Sequence, residues 1–479
     1  MNCENRRTFL KALGTLSASL LLPSLTSCSK KQSTSNVLFI AVDDLRPQLN
    51  CYGQTHVISP NIDRLASEGF LARRSYCNVP VCGASRASLL TGVRPARERF
   101  VNYHTWADRD LPGNLSLPRH FKNNGYVTIS NGKVYHHKED GAGSWSEEPY
   151  RPQNEDNNWR DYVTEENLQI SRAQESMAGP PFEIADVPDN AYFDGQIADK
   201  TIADLKHLHD SGQPFFVAAG FLKPHLPFNA PKKYWDLYDR EALPMAENTF
   251  KPQNAPDAAM HNWGELRNYY GIPPQGPLDD ETARTLVHGY HACVSYTDAQ
   301  VGRLLDTLDE LGLSDNTIVI LWGDHGWNLR EHGLWCKHCN FNTSLQAPIL
   351  VRAPGHQKAQ QSDALLEFVD IYPTLCELAS LPIPESCVGK SFVPLLDNPE
   401  QAWKQSVFSR FHNGESIRTD RYLYTEWRNE NGEMYARMLY DHQNDPQENI
   451  NISERPENRE LVERLAKMLR DGINNSSAS

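Results

Sequence analysis

The fold of this chain is decided by the run Asn36-Val37-Leu38-Phe39-Ile40-Ala41-Val42-Asp43-Asp44. Its middle residues are apolar without alternation, which is typical of a parallel strand buried on both faces. The run ends in two adjacent acids. In open α/β sheets the ligand crevice lies beyond the carboxyl ends of the strands, so Asp43 and Asp44 are candidate metal ligands. Taken alone, two acids at a strand end can equally form a turn or a helix cap.

A second apolar run of the same kind is Thr317-Ile318-Val319-Ile320-Leu321-Trp322-Gly323, and Asp324 and His325 follow it. Two strands of one sheet would thus bring three carboxylates and one imidazole to the same edge. Carboxylate oxygens suit a hard cation such as calcium or magnesium better than zinc. The sequence therefore predicts a site for a hard cation where these two strands end.

Strands are also indicated at residues 126–130, 214–220 and 347–352, and helices at 280–311 and 365–378. Basic residues follow the first two of these strands, namely Lys133, His136, Lys223 and His225. Strands that alternate with helices favour an α/β fold with a large mixed, mainly parallel sheet that is flanked by helices on both faces.

Three parts are expected along the chain. Residues 1–35 are a signal and tether, residues 36–396 form the catalytic domain, and residues 397–479 form a small C-terminal subdomain. Short polar and apolar alternations in the last part predict an antiparallel sheet, which a helix at 459–469 completes. The tail at 474–479 is expected to be disordered.

The first 35 residues resemble a bacterial export signal. Arg6 and Arg7 begin a twin-arginine pattern, and the apolar run that follows is too short to span a membrane. Cys28 ends a pattern similar to a bacterial lipobox, so we expect a lipid anchor to a membrane at Cys28. The alternative is a cleaved signal with an incidental cysteine. The expected location is the periplasmic side of a bacterial cell envelope.

Composition excludes some classes of function. A net charge of −14 argues against a nucleic-acid-binding protein. Ten cysteines in 479 residues do not make a disulfide scaffold. The run Cys336-Lys337-His338-Cys339 is half of a zinc pattern, but no second pair stands at a matching distance. Cys376 and Cys387 can form a disulfide or remain two thiols, and the sequence leaves both open.

A reactive site is indicated by the stretch Cys82-Gly83-Ala84-Ser85-Arg86-Ala87-Ser88-Leu89-Leu90-Thr91-Gly92. It has the form of a helix that begins at the cysteine and stops at the glycine. A cysteine there lies at the positive end of the helix dipole, where backbone N–H groups can receive an anion. Arg86 lies on the same helix face, four residues later. For a lone cysteine, a buried thiol beside a helix arginine is the commoner case.

This stretch resembles the signature of the type I, formylglycine-dependent sulfatases, in which the cysteine is followed by proline or alanine, then serine and arginine. Most members have proline where this chain has Ala84. The blocks at residues 42–47, 132–136, 223–228 and 324–327 are most similar to those of the iduronate-2-sulfatases. His325 supports this closer resemblance, because most sulfatases have asparagine at that position.

The resemblance implies an alkaline-phosphatase-like fold and a sulfuric ester hydrolase. It also implies that a formylglycine-generating or sulfatase-maturating enzyme oxidises Cys82 to formylglycine, whose hydrate is the nucleophile. One Ca²⁺ is expected, held by Asp43, Asp44, Asp324, His325 and the modified Cys82. Asp324 is also a candidate base for the nucleophile.

The same mechanism gives roles to the basic residues. Arg86 would orient the hydrated aldehyde, and Lys133 and Lys337 would bind the sulfate oxygens. His225 is expected to protonate the leaving alcohol, and His136 to take a proton when sulfate is expelled. The roles of the two histidines can also be exchanged.

The implied substrate is a sulfated oligosaccharide, with the 2-O-sulfate of a terminal uronic acid in a heparan- or dermatan-like glycosaminoglycan. His104, Trp106 and Arg109 are aromatic and basic residues that can stack on a sugar and meet a carboxylate. Segments 140–189 and 248–277 have weak periodicity and are expected to be long surface loops that wall the pocket.

Three alternatives stay open. The first is a sulfatase that acts on an algal polysaccharide such as ulvan. The second is a phosphomonoesterase or phosphonate hydrolase of the same superfamily, although the cysteine motif argues against it. The third is an inactive glycan-binding lipoprotein, which would have no use for both an aldehyde precursor and a proton donor.

Overall fold

The computed structural model describes residues 35–474, which belong to one compact unit. The predicted signal, including Cys28, falls on residues 1–34, and the predicted tail falls almost entirely on 475–479; both lie outside the described residues. Within residues 35–474, no helix is both long enough and apolar enough to cross a bilayer.

The described residues contain fifteen strands and thirteen α-helices. The strands are β1 Asn36–Val42, β2 Phe70–Tyr76, β3 Val127–Gly132, β4 Phe182–Ala185, β5 Phe215–Phe221, β6 Phe228–Pro231, β7 Thr317–Gly323, β8 Asn328–Leu329, β9 Trp335–Cys336, β10 Ile349–Arg352, β11 Gln360–Glu367, β12 Ser406–Phe411, β13 Gly414–Thr419, β14 Tyr422–Arg428 and β15 Met434–Asp441. The helices are α1 Pro60–Glu68, α2 Cys82–Thr91, α3 Ala107–Asp110, α4 Leu117–Asn123, α5 Glu165–Arg172, α6 Phe193–Ser211, α7 Lys232–Trp235, α8 Gly264–Arg267, α9 Asp280–Glu310, α10 Asn342–Leu345, α11 Ile371–Leu378, α12 Val393–Asp397 and α13 Arg459–Asn474.

Seven strands form the central sheet, in the order β11-β2-β10-β7-β1-β5-β3. β1 pairs in parallel with β5 and β7, whereas β10 is antiparallel to its neighbours β2 and β7. The sheet is therefore mixed and mainly parallel, which confirms the predicted fold class.

β1 is buried on both faces, as its unbroken apolar sequence predicts. Residues 38, 40 and 42 belong to the hydrophobic cluster that also contains apolar residues of α6 and α9. Residues 37, 39 and 41 belong to a second cluster, which contains apolar residues of α2 and α11. The central strand is thus fixed from both sides, and the residues that follow it are held in one place.

A separate four-stranded antiparallel sheet, in the order β12-β13-β14-β15, follows the central sheet in the chain. Apolar residues of α13 pack against it. This confirms the predicted C-terminal sheet and helix, while the exact division between residues 396 and 397 stays a prediction.

Two strands of the central sheet differ from the prediction. β2 was not predicted, and the predicted helix at 365–378 is wrong at its start, because residues 365–367 end β11 and pair with β2. β11 is an edge strand that begins Gln360-Gln361-Ser362-Asp363. An edge strand can carry polar residues of this kind because one side of it lacks a partner, and the apolar signal of a buried strand is then absent.

Cys336, Cys339, Cys376 and Cys387 are free cysteines. The thiol of Cys339 lies 3.0 Å from the hydroxyl of Ser344. The sequence left open whether Cys376 and Cys387 form a disulfide; in this structure both are thiols.

A buried ionic cluster joins the central sheet to the segment that leads into the C-terminal sheet. The carboxylate of Glu367 accepts hydrogen bonds from Arg94 Nε at 2.7 Å, Lys404 Nζ at 2.7 Å and Asn78 Nδ2 at 2.9 Å. Burial opposes ionisation of Glu367, but the charges of Lys404 and Arg94 outweigh it and lower its pKa to about 2.

Glu367→Gln removes a buried carboxylate from two cations that are each about 15% exposed, and it should lower the free energy of unfolding by about 2–4 kcal/mol near neutral pH, since Lys404 keeps Asp370 as a partner. The folded pKa of about 2 lies below the ordinary value of 4.5, so the contribution is present above pH 4.5 and is lost as the pH falls through the folded value. Denaturant unfolding should therefore show a difference from wild type that shrinks on acidification. Glu454→Gln, which removes an exposed ion pair with Arg437, is the control and should cost less than about 1 kcal/mol. A difference for Glu367→Gln that does not depend on pH would contradict this account.

Candidate active site

The carboxyl ends of β1 and β7 bring the predicted acids together. Val42 and Gly323 are paired in the sheet, so the residues after them leave it side by side. Asp324 N donates to Val42 O at 3.1 Å, and Asp44 N donates to Asp324 Oδ1 at 3.0 Å. Asp43, Asp44, Asp324 and His325 are all completely buried.

Cys82 is the first residue of α2 and lies against this cluster, with its Sγ 3.5 Å from His325 Nε2. Ser85 Oγ donates to Asp324 O at 2.5 Å, which ties the first turn of α2 to the end of β7. A Cβ atom on Gly83 would lie 2.8 Å from Tyr103 O, so glycine is needed where the loop around Tyr103 meets the helix start. The Cys82 side chain is left 3% exposed.

Asp43, Asp44, Cys82 and His325 each place a ligand atom within 4.8 Å of the others. Two buried carboxylates and one imidazole in one cluster fit a divalent cation, and the oxygen donors favour a hard one. Asp324 lies outside this group of four. Its two oxygens accept from Asp44 N and from Arg86 Nε, and its role as a ligand or a base stays a prediction.

Arg86 is completely buried and joins the acids to the loop after β3. Its Nε lies 2.9 Å from Asp324 Oδ2 and its Nη2 lies 3.4 Å from Asp43 Oδ1. Its Nη1 donates to the carbonyls of residues 133 and 134, and Arg151 Nη2 donates to the carbonyls of residues 135 and 136. Two guanidinium groups thus hold four successive carbonyls of the loop that carries Lys133 and His136.

Each of the two acids after β1 faces a lysine. Lys133 Nζ donates to Asp43 Oδ2, and Lys337 Nζ lies 3.1 Å from both oxygens of Asp44. Burial opposes ionisation of both carboxyls. The charges of Lys133, His225 and Arg86 nevertheless hold the pKa of Asp43 well below its usual range, whereas burial prevails at Asp44 and raises its pKa.

His225 lies on the loop after β5, which Asp194 holds by accepting from the backbone N–H groups of Leu222 and Lys223, each at 2.8 Å. His225 Nδ1 is 2.6 Å from Leu226 O. Its Nε2 lies 2.9 Å from Glu265 Oε1 and 3.8 Å from Asp44 Oδ2. The ring is therefore fixed on both nitrogens.

The two histidines of the cavity have opposite pKa shifts. Burial would lower the pKa of His225, but the carboxylates of Asp44 and Glu265 raise it to about 10. Burial and the charge of Lys133 lower the pKa of His136, whose Nδ1 is buried without a hydrogen-bond partner. The raised pKa favours the protonated form of His225, and the lowered pKa favours the neutral form of His136.

A cavity of about 630 Å³ opens onto Cys82. Lysine and arginine side chains line it, namely Lys133, Lys138, Arg151, Arg160 and Lys337. Glu265 is the only carboxylate among the described residues of the lining. Although the net charge of the chain is −14, this cavity is locally positive and suits an anionic ligand.

The structure does not bring His104, Trp106 and Arg109 to this cavity. The guanidinium of Arg109 lies 3.8 Å from the centroid of the Trp106 ring, and that ring stacks on His137 at 4.4 Å. These side chains are engaged with one another and with His137, so the cavity gives no support to their predicted role in binding the sugar. Tyr103, from the same segment, does line the cavity.

Glu265, Arg151, Trp159 and Arg160 line the cavity and were missed as functional residues. They belong to the two segments for which the sequence predicted only loops that wall the pocket. Trp159 and Arg160 carry a usable signal, since they combine an aromatic and a basic residue in the same way as Trp106 and Arg109. Glu265 lies in the four-residue helix α8 and has no motif around it.

Two family models match this sequence. The model described as Sulfatase matches residues 35–381, and the model described as N-sulphoglucosamine sulphohydrolase, C-terminal, matches residues 330–475. The chain belongs to the sulfatase family. This sulfatase is 37% identical to iduronate 2-sulfatase of Mus musculus over 426 residues, which are 79% of this chain and 76% of the relative. It is a sulfuric ester hydrolase.

Solved structures agree with this sulfatase in fold. A 2-O GAG sulfatase matches with a TM-score of 0.71 at 21% identity, over 93% of each chain. A phosphonate monoester hydrolase of Agrobacterium radiobacter matches with a TM-score of 0.76 at 21% identity, over 92% of this chain and 96% of the other. Because sulfatases and phosphonate monoester hydrolases share this fold, the fold alone does not distinguish between the two activities.

Proposed function

We propose that this sulfatase removes the 2-O-sulfate from a terminal uronic acid of a glycosaminoglycan-like oligosaccharide, using formylglycine at position 82 and one Ca²⁺. The observation that carries this proposal is the place of Cys82, at a helix start between the buried acids and a cavity lined by basic side chains. The similarity to iduronate 2-sulfatase supports the choice of sugar and sulfate position.

Modification of Cys82 is supported by its surroundings. Burial raises the pKa of the thiol despite the nearby charges of Lys133 and Lys337, so an unmodified cysteine would be a neutral, poor nucleophile here. The hydrate of formylglycine would supply a hydroxyl group in its place. Arg86 contacts Asp43 and Asp324. We therefore propose that Arg86 acts on residue 82 indirectly, by holding these two acids in position.

Asp43, Asp44 and His325 are the side chains that would hold Ca²⁺ together with residue 82, and Asp324 is a further proposed ligand. The bound cation would favour ionisation of the hydroxyl and neutralise charge on the sulfate. Lys133 and Lys337 line the cavity and would meet the remaining sulfate oxygens.

One hydroxyl oxygen of the hydrated residue 82 would bond to sulfur while His225 donates its proton to the sugar oxygen, so that the sugar leaves as an alcohol and the sulfate stays on residue 82. His136 would then accept the proton of the second hydroxyl, so that sulfate is released and the aldehyde is restored. The opposite pKa shifts of the two rings favour this assignment over the exchanged one.

A phosphomonoesterase with two metal ions is disfavoured by Lys337. The second group of candidate ligands is Asp44, His225 and Glu265. The ammonium of Lys337 lies 3.1 Å from Asp44 Oδ1 and 2.8 Å from Glu265 Oε1, so a cation already neutralises this group. Activity against sulfated uronic acids, ulvan fragments and phosphonate esters, compared side by side, separates the remaining alternatives.

The peptide that contains Cys82, isolated from the native host, is expected to carry an aldehyde in place of the thiol. Mass spectrometry of the intact peptide measures this, and a sample with only unmodified cysteine would contradict the formylglycine proposal. Cys82→Ala should abolish sulfate release and leave the unfolding temperature nearly unchanged. Cys376→Ala, which removes another buried thiol that does not line the cavity, is the matched control and should keep activity.

Removal of divalent cations with a chelator is expected to lower both activity and the unfolding temperature, because the buried acids lose a compensating charge. Calcium should restore both better than zinc does, since the donors are mainly oxygens. Asp43→Asn should weaken this response to calcium. A chelated enzyme that keeps full activity would exclude the metal from the reaction.

His225→Ala should lower kcat/KM by roughly 10²- to 10⁴-fold for a sulfated sugar, whose alkoxide leaves poorly without a proton. The loss should be much smaller for 4-nitrophenyl sulfate, because its phenolate leaves readily. Steady-state kinetics with both substrates provide the measurement. Equal losses on the two substrates would show that His225 does not protonate the leaving group.

We also propose a lipid anchor at Cys28 and a periplasmic location, which rest on the sequence of residues 1–35. Cys28→Ser is expected to move the enzyme from the membrane fraction to the soluble periplasmic fraction of the native host. Labelling with a radioactive fatty acid should mark the wild type and not the variant. Wild-type protein that is soluble and unlabelled would contradict the anchor.

A further inference from the structure

The lysines of the cavity are all paired with acids. Lys133 faces Asp43, and Lys337 faces Asp44 and Glu265. Lys138 pairs with the exposed Glu148 at 2.7 Å. These ammonium groups therefore have charge partners before any substrate binds.

Arg160 differs from these lysines. It lines the cavity, and no carboxylate in the described part of the chain forms an ion pair with it. Its Nη1 donates to Ser176 O at 3.1 Å, and its Nε is buried without a hydrogen-bond partner. A guanidinium has five N–H donors in a planar fork, so most of the binding capacity of Arg160 is unused.

Arg151 also forms no ion pair with a carboxylate of residues 35–474, but its hydrogen bonds give it another role. Its Nη2 donates to Tyr135 O at 2.6 Å and to His136 O at 3.1 Å, so it supports the loop that carries His136. Arg151 is therefore a positioning residue, and Arg160 is the arginine with donors to offer to a ligand.

Trp159 lies next to Arg160 at the leaving-group side of the site. Its ring is edge-on to that of His225, with centroids 5.3 Å apart, and the residue is 46% exposed. The guanidinium carbon of Arg160 lies 4.7 Å from the centroid of the Trp159 ring and 5.6 Å from that of Tyr269. The two aromatic rings hold the guanidinium in place while part of the indole stays open to the cavity.

We propose that Trp159 and Arg160 form the subsite for the sugar that leaves, with the indole packed on the sugar ring and the guanidinium paired with an oxyanion that this sugar carries besides its sulfate ester. The inference rests on the proposed function, because His225 must reach the leaving oxygen and the sugar that bears it then lies beside Trp159. An aromatic surface next to a fork of donors matches a ring with one apolar face and one acidic group.

The oxyanion of the substrate can be a carboxylate or a second sulfate. Both accept hydrogen bonds from a guanidinium, and the planar carboxylate matches its two parallel N–H groups best. The test therefore uses three sulfate esters: a 2-O-sulfated uronic acid disaccharide, the same disaccharide with its carboxyl reduced to an alcohol, and 4-nitrophenyl sulfate.

Arg160→Gln should lower kcat/KM about 30-fold for the uronic acid disaccharide, mainly through KM, because the carboxylate of the substrate loses its charge partner. It should have little effect on the carboxyl-reduced disaccharide or on 4-nitrophenyl sulfate. Arg160→Lys should recover part of the loss, since it restores the charge without the fork. Trp159→Ala should affect both disaccharides and spare 4-nitrophenyl sulfate.

Lys390→Gln is the matched control. It removes a cation whose ammonium lies 3.8 Å from the centroid of the Trp403 ring, and neither residue lines the cavity. It should leave all three activities unchanged. Equal losses on all three esters for Arg160→Gln would assign Arg160 a structural role and overturn the proposal, as would no loss on any of them.

A binding measurement separates this inference from the proposed function. The desulfated uronic acid disaccharide should bind wild type more tightly than Arg160→Gln by calorimetry, whether or not the enzyme turns over the sulfated form. Equal affinities would overturn the subsite. A disaccharide that carries a second sulfate in place of the carboxylate, measured in the same way, shows whether the subsite also accepts sulfate.

Discussion

The buried contacts of Arg86 with Asp43 and Asp324 are the interaction on which the rest of the site depends. Carboxylates that leave water at the ends of strands cost several kcal/mol each unless a cation compensates them. One guanidinium does so for two acids, and its remaining N–H groups bind carbonyls of the loop after β3. The guanidinium of Arg86 therefore compensates the charge of the buried acids and also fixes the loop that carries Lys133 and His136.

Charge is distributed unevenly through the cavity. Lys133 and Lys337 each have a carboxylate partner, and Glu265 pairs with both Lys337 and His225. Farther along the wall, Arg160 forms no ion pair with a carboxylate of the described residues. A sulfate bound near Cys82 would leave the charge of Arg160 uncompensated, so the arrangement favours a ligand with more than one negative group. The short helix α8 thus contributes the carboxylate of Glu265 to the charge balance around His225 and Lys337.

The sequence predicted the strands at the centre of the sheet and the cluster of acids that follows them, because burial on both faces leaves an unbroken apolar run before Asp43 and before Asp324. It missed β11, whose first residues are polar since an edge strand lacks a partner on one side. The same limit applies to the cavity wall. Trp159 and Glu265 come from irregular segments whose positions are set by tertiary packing. In such segments no periodic pattern of apolar residues indicates which loop residue will face Cys82.

The burial of Cys82 has a consequence for how active enzyme is made. The side chain is 3% exposed, beneath a loop that contacts Gly83, and the cavity of about 630 Å³ above it is too small for the active site of another protein. If formylglycine forms here as proposed, the enzyme that oxidises the thiol would have to meet the chain before the first turn of α2 is covered. Oxidation would then compete with folding, and the active fraction of a preparation would depend on the ratio of the two rates during synthesis.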